Sequence, residues 1–593
     1  PGTSDRSYQD IQFRRYDYHR VRTGFGGEFD FKPNEDHRYY LRANVAGYTE
    51  SVKKNRLEYD FGDSTPAGRG YTALADTLVA STDEKEVHRN EIYVAGGQDR
   101  FGDVILDYRG SYSTASYDQL RNYGATFKGP GGVLVGYDNS ANNGDFPKLN
   151  ILDGTNINDA SLYSLSKKKV KNTQEHDLDQ EYAFASNLLF PVHLINDDDR
   201  IKLGFEVRLR TKSQDVYNQS NVVGALNLAG ISSPAITNFY DNGYSNGPNV
   251  DTLQLSALAA ATHSPFAFDP SSYFHAREDI YAGYGQYTAT WGKLGILAGV
   301  RVEATDAVYS NYVQGGVGPG FVHNPQSYTN VFPTVQLRWD FTPSLVLRGT
   351  YSTGIGRPGF NQIAGAVTVD TSNDTITTGN PKLKPTTGNS FDLSLEYYLP
   401  KGGIAQVGAF DKEFDNYIVT RVHHGTDPRI PDVVDVTFQT FGNISSAYAR
   451  GIEASYHQQF KWLPQPLDGL GVEGNVTLVD SRLQEYDALT SSTGHAEYGP
   501  LPGTAKVTAN LAAFYEAHGI DARLSAQYVG AQLFGLGGSK NSDTIEDKRV
   551  TLDFASSYAI TKNFKIYFNA KNLTNAPLRF YVGNPSFPIQ REY

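Results

Sequence analysis

The chain has 593 residues, a net charge of −12, 39% hydrophobic and 20% charged residues, and neither cysteine nor methionine. Lack of cysteine excludes disulfides, thiolate metal sites and Cys nucleophiles, and suits an oxidising compartment; acidity argues against nucleic acid, whose binders need a basic stripe. No run approaches the ~18 apolar residues of a membrane helix, so any crossing of a bilayer has to be made by strands.

In chain order, period-2 patterning predicts strands near 14–31, 38–53, 86–101, 103–120, 174–192, 200–216, 279–291, 294–310, 328–341, 345–357, 389–400, 403–421, 436–461, 469–485, 501–516, 521–533, 547–560 and 563–579. A further strand begins at 588. The clearest alternation is at 201–210, where Ile201, Leu203, Phe205, Val207 and Leu209 oppose Lys202, Gly204, Glu206, Arg208 and Arg210.

The connections alternate in length. Short polar turns such as Leu194 to Arg200, Trp291-Gly292-Lys293 and Phe341 to Ser344 follow every second strand. Long loops at 54–85, 121–173 and 217–278, and shorter ones including 311–327 and 358–388, fill the other gaps. An isolated strand of this kind equally fits a soluble sheet with one wet face. A meander of such strands with one tight rim and one shaggy rim fits an all-β, transmembrane, antiparallel up-and-down barrel: apolar face to lipid, charged face to an aqueous lumen. Tyr and Phe near strand ends, such as Tyr39, Tyr281 and Phe564, suit interfacial girdles. No linker or composition shift divides 1–593. No secretory signal opens the chain, and Pro1 to Asp5 read as loop, so a longer gene product is expected.

No acid–base–nucleophile constellation emerges, so no enzyme, cofactor or metal centre is expected. His423, His424 and Asp427, the run Asp197 to Asp199, and Asp370, Asn373 and Asp374 are the metal candidates weighed; solvated polar turns and loops account for them more simply. The candidate solute-binding residues are the lumen-side Arg208, Arg210, Arg301 and Arg348, the motif residue Arg357, and the loop rings Tyr240, Tyr244 and Tyr273. The competing role for the charges, including Glu206, Glu303, Glu396, Asp411 and Asp553, is hydration of the lumen; for the rings it is packing of the loops.

Several motifs stand in a fixed order: Tyr328-Thr329-Asn330-Val331-Phe332-Pro333, Gly356-Arg357-Pro358-Gly359-Phe360, Gly379-Asn380-Pro381-Lys382-Leu383-Lys384-Pro385, Ala449-Arg450-Gly451-Ile452-Glu453 and Lys571-Asn572-Leu573-Thr574-Asn575. Each has a local reading: Gly451 where a strand passes a bulky neighbour, Asn572 and Asn575 in a turn leaving a strand. The ordered set resembles the barrel of TonB-dependent outer-membrane receptors, of the type found in Caulobacter, Sphingomonas and Xanthomonas relatives.

That resemblance implies a barrel of about 22 strands, of which about 19 fall within this chain, the last cut at 593. It implies an N-terminal plug and first strands lying outside the sequence. It further implies uptake of siderophore-bound iron or an oligosaccharide with energy from the TonB–ExbB–ExbD complex acting through that plug. The setting would be the bacterial outer membrane, a monomer among lipid and lipopolysaccharide. A passive porin-like channel, with fewer strands and an inward constricting loop, is the alternative.

Overall fold

The computed structural model describes residues 10–61, 71–138, 148–239, 243–313, 320–370, 374–430, 436–483, 499–536, 543–582 and 588–592. Eighteen long strands form one meander. They are β1 Asp10–Phe31, β2 His37–Asp60, β3 Tyr71–Phe101, β4 Val104–Lys128, β5 Lys169–Pro191 and β6 Arg200–Val222. Next come β7 Phe274–Trp291, β8 Leu294–Val313, β9 Gly320–Thr342, β10 Leu345–Gly356, β11 Thr386–Leu399 and β12 Gly403–Gly425. The series ends with β13 Val436–Gln459, β14 Leu470–Leu483, β15 Val507–Ala517, β16 Ile520–Val529, β17 Arg549–Thr561 and β18 Phe564–Ala570. Each pairs antiparallel with the next, as an up-and-down wall requires. Among the described residues, the outer edges of β1 and β18 have no strand partner.

Registers carry the alternation from strand to strand, because residues directly opposite share a face. Tyr93, Tyr112, Tyr182 and Leu209 stand in one row; Tyr93, Tyr182 and Leu209 are exposed and Tyr112 is half-buried between its neighbours. Phe31, Phe101, Trp291, Phe341 and Phe564 are likewise exposed at the tight-turn rim. Phe101 lies eight residues below Tyr93 on the same face of β3, about 26 Å of tilted strand. This is the apolar band with aromatic margins that a bilayer demands. Leu203, Phe205, Val300, Val302, Leu393, Leu511 and Val550 fill it.

The tight-turn ends fall within a few residues of expectation, while the other ends run longer. β3 starts at 71 rather than 86 and β2 reaches 60, so most of the expected 54–85 loop is strand. Above the apolar band both faces are polar or covered by loops, so pairing continues after the hydropathy signal has faded. The expected strand 563–579 is broken. Asn572 and Asn575 adopt φ of 50° and 46°, and the Asn572 side chain accepts the Ala576 N–H at 2.9 Å. Beyond that turn, Leu578–Val582 joins Gln532–Gly535, Thr544–Glu546 and Pro588–Glu592 in a separate four-stranded sheet.

Gly451 has the role its position suggested. A Cβ there would stand 2.5 Å from the Phe410 ring and 2.5 Å from the Leu478 carbonyl oxygen. Asp411 is a correction. It pairs with Phe391, not with the charged residues of β11, and shares the outward face with Val407. There, above the apolar band, it takes Arg450 at 2.8 Å. A run polar on both faces, Asp411 to Glu413, gave the sequence reading no apolar reference for parity.

Candidate functional site

Alternation brings the lumen-side arginines together at mid-wall. Register places Glu206, Ala282 and Glu303 side by side on β6, β7 and β8. The small Ala282 leaves room for Arg301 to bridge both carboxylates, at 2.9 Å to Glu206 and 2.7 Å to Glu303. Arg357 closes the chain from the loop after β10: its Nη2 donates to Glu303 at 2.8 Å and to the Thr305 hydroxyl at 2.9 Å. Arg208 grips Glu181 and Arg210 grips Asp179, each through two nitrogens, the shorter contacts being 2.7 and 2.6 Å. Arg348 meets Glu396 at 2.9 Å. Every one of the five expected arginines is on the lumen face, and every one is already matched by a carboxylate.

The expected rings divide differently. Tyr240 lies outside the described residues. Tyr244 packs 5.0 Å from the Phe13 ring centroid, within a cluster that includes Leu57, Val79, Phe127 and Leu255. Phe13 has the same parity on β1 as the lipid-facing Phe25 and Phe29, so this cluster covers the outward side of the upper strands. Tyr273 meets Phe321 at 5.0 Å, again on the outward face. The described parts of these loops, 148–168, 223–239 and 243–262 among them, drape over the outward side of the wall.

The segment that does enter the lumen was not expected to. Residues 357–385 leave β10, turn through a short helix Phe360–Ile363, and form a hairpin of Val367–Asp370 and Thr375–Thr378. Phe360, Ile363, Ala364 and Leu383 pack against Phe274, Ala276, Ala307 and Tyr309 on the lumen side of β7 and β8. The wall holds the loop's backbone through Ser272 to the Val367 carbonyl (2.9 Å) and Gln326 to the Pro381 carbonyl (2.9 Å), and the loop's Asn380 amide donates to the Phe441 carbonyl of β13 (2.8 Å). Arg210 lies over the Phe360 ring at 4.8 Å. The strand Thr375–Thr378 runs parallel to the start of β13. Asp374 then reaches β2, where Arg56 contacts it at 3.4 Å and Glu58 at 3.2 Å. The loop is thus a beam fixed to β8 at one end and to β2 at the other. Its motif residues were visible in the sequence; nothing in their spacing signalled an inward path.

Arg56 and Glu58 are buried, and burial pushes the Glu58 carboxyl up to about 7, against the pull of Arg56. Several of the metal candidates are engaged in other contacts. Asp199 accepts the N–H groups of Leu194, Ile195 and Asn196 and the Tyr287 hydroxyl, so it organises its turn. Asp427 pairs with Arg429 at 2.8 Å, and His423 lies flat on Phe438. Asn373 lies outside the described residues.

Comparison with known proteins gives the following. A family model described as TonB dependent receptor-like, beta-barrel matches residues 96–573. No curated protein matches by sequence. Among solved structures, the ferric-catecholate import receptor Fiu of E. coli K12 is 12% identical, with a TM-score of 0.55 over 98% of this chain and 79% of its own. The pyoverdine outer-membrane receptor FpvA of Pseudomonas aeruginosa PAO1 is 10% identical, TM-score 0.53, covering 99% and 77%. The siderophore receptor PiuA of Acinetobacter baumannii is 12% identical, TM-score 0.51, covering 98% and 79%.

Proposed function

The chain belongs to the TonB-dependent receptor-like β-barrel family, and from that premise we propose that it takes up a scarce solute, siderophore-bound iron or an oligosaccharide, with energy delivered by TonB–ExbB–ExbD. It is a bacterial outer-membrane protein, and TonB-dependent transport is the role its family supports. The observation that carries the reading is an apolar-banded wall around a lumen laced with charge and crossed by a docked loop.

In this reading residues 1–593 are the barrel portion. The free edges of β1 and β18 cannot stand open in hydrocarbon, because each would present unpaired backbone groups to lipid. In this reading they meet further strands, and a plug carrying the TonB contact occupies the lumen. The protein works as a monomer bedded in lipid and lipopolysaccharide. The ligand is received between the inward loop and the arginine network that includes Arg208, Arg210, Arg301, Arg348 and Arg357.

The inward loop also supports a second reading, a passive porin-like channel, because porins narrow their lumen in that way. Uptake separates the two. Cells carrying the full receptor, with or without functional TonB, are given radiolabelled ferric siderophores and labelled oligosaccharides. Accumulation against a gradient that vanishes without TonB supports the transporter. Entry that is indifferent to TonB and graded only by solute size supports the channel.

A further inference from the structure

The lumen wall has two chemistries at one height. From β5 to β11 it is charged, and its arginines are satisfied by neighbouring carboxylates. From β12 to β17 the register sets Gln406, Ser455, Asn475, Asn510, Gln527 and Thr551 directly opposite one another, one per strand. Six adjacent strands at ~4.8 Å spacing make this a row about 24 Å long. Asn475, Asn510 and Gln527 are exposed. Among the described residues, the one side-chain hydrogen bond within the row joins Asn510 to Asn475 at 2.9 Å.

Five of the six line a cavity of about 520 Å³. Its charged groups are committed elsewhere: Glu473 to His457 and Arg523, Asp553 to the Asn572 N–H at 2.7 Å. His457 lies flat on Phe514, centroids 5.3 Å apart, and leaves its other face open. Behind the row, Leu511 and Val550 face lipid, so the row lies at bilayer depth and, in the reading above, meets a solute when the plug is drawn aside.

We propose that this row is a binding site for a neutral polyhydroxylated solute, an oligosaccharide, on its way through the barrel; the proposal rests on the transport reading above. Carboxamides offer a donor and an acceptor side by side, the pattern that vicinal hydroxyls match. Among the described lining residues an anionic ferric chelate meets no free cation, and Glu473 and Asp553 against Arg523 leave the cavity slightly acidic.

The test is TonB-energised uptake by cells carrying the full receptor. The probes are malto-, xylo-, galacto- and chito-oligosaccharides on one side, ferric enterobactin and ferric citrate on the other. One oligosaccharide class accumulates, and Asn510→Ala with Gln527→Ala reduces that uptake about tenfold, two weak hydrogen bonds' worth. The near-isosteric pair Asn475→Asp and Gln527→Glu keeps the heat-modifiable gel mobility of a folded barrel and also lowers uptake. Energised uptake of a ferric chelate, unchanged in the double alanine variant, overturns the inference and leaves the transport reading standing. Accumulation of neither class with TonB energised defeats both.

Discussion

Replacing Arg357 by alanine removes two hydrogen bonds that hold one end of the inward loop, to Glu303 and to Thr305. Both charged side chains are mostly buried, 17% and 12% exposed, so solvent screens them little. A hydrogen bond to a charged partner contributes roughly 1.5–3 kcal/mol. Glu303 keeps Arg301 at 2.7 Å, so no bare charge remains. That holds the loss to about 2–3 kcal/mol, below the ~3–5 kcal/mol of an orphaned buried charge. The loop's opening equilibrium should therefore rise roughly 30- to 150-fold. The chain lacks cysteine, so Ala364→Cys, on the wall-facing underside of the loop itself and 0% exposed, gives a clean reporter. Maleimide labelling of that cysteine should accelerate by the same factor in Arg357→Ala. Arg348→Ala, which breaks the ion pair with Glu396 and, among the described residues, no bond to the loop, should leave it within about twofold of the parent. Equal labelling rates with and without Arg357 would refute the idea that this arginine pins the beam.

Gly451→Ala should lower the temperature at which gel mobility shifts, because its Cβ meets a backbone oxygen that cannot swing away, whereas Gly110→Ala, with its nearest neighbour at 4.0 Å, should not. The junction of Asp374 with β2 should respond to pH. The Glu58 carboxyl, raised by burial to about 7, holds its proton more tightly when folded, so stability is full below about pH 4.5 and is lost as pH rises through 7. Hydrogen exchange at Thr375–Thr378, corrected for intrinsic rates, should show lower protection at pH 8 than at pH 5, by at most about 3 kcal/mol, and Glu58→Gln should flatten the profile; a parent profile already flat removes the argument. Leu203→Arg, placing a cation in the apolar band, should cost about 2–4 kcal/mol and reduce assembled barrel, whereas Lys202→Leu on the wet face should assemble normally.

The sequence made the wall legible where one face meets lipid. Leu203 against Lys202, or Leu393 against Asp392, leaves no doubt of parity, and a turn such as Phe341 to Ser344 marks its lower end. It fell silent above the band. From 71 to 85 the outward side of β3 is covered by loops and the inner side is mixed, so neither face carried a simple pattern. For the same reason Asp411 was assigned to the wrong side. The five arginines were found because they alternate with apolar residues or sit in a recurrent motif. Their carboxylate partners follow from register, which one strand alone does not fix. Tyr244 and Tyr273 have no period to read, and their outward packing depends on strands more than forty residues away. The inward course of 357–385 was invisible because its anchors, Glu303, Gln326, Phe441 and Arg56, come from four separate strands.

Adjacent residues on β15 test the orientation of the wall most directly. Nitroxide labels at Asn510 and Leu511, one at a time in the reconstituted full receptor, can be relaxed by oxygen, which concentrates in lipid, or by a water-soluble nickel chelate. Position 511, 65% exposed on the apolar face, should respond to oxygen, and position 510 to nickel. Nickel reaching both positions equally, or the two responses exchanged, would contradict a wall with lipid outside and water within.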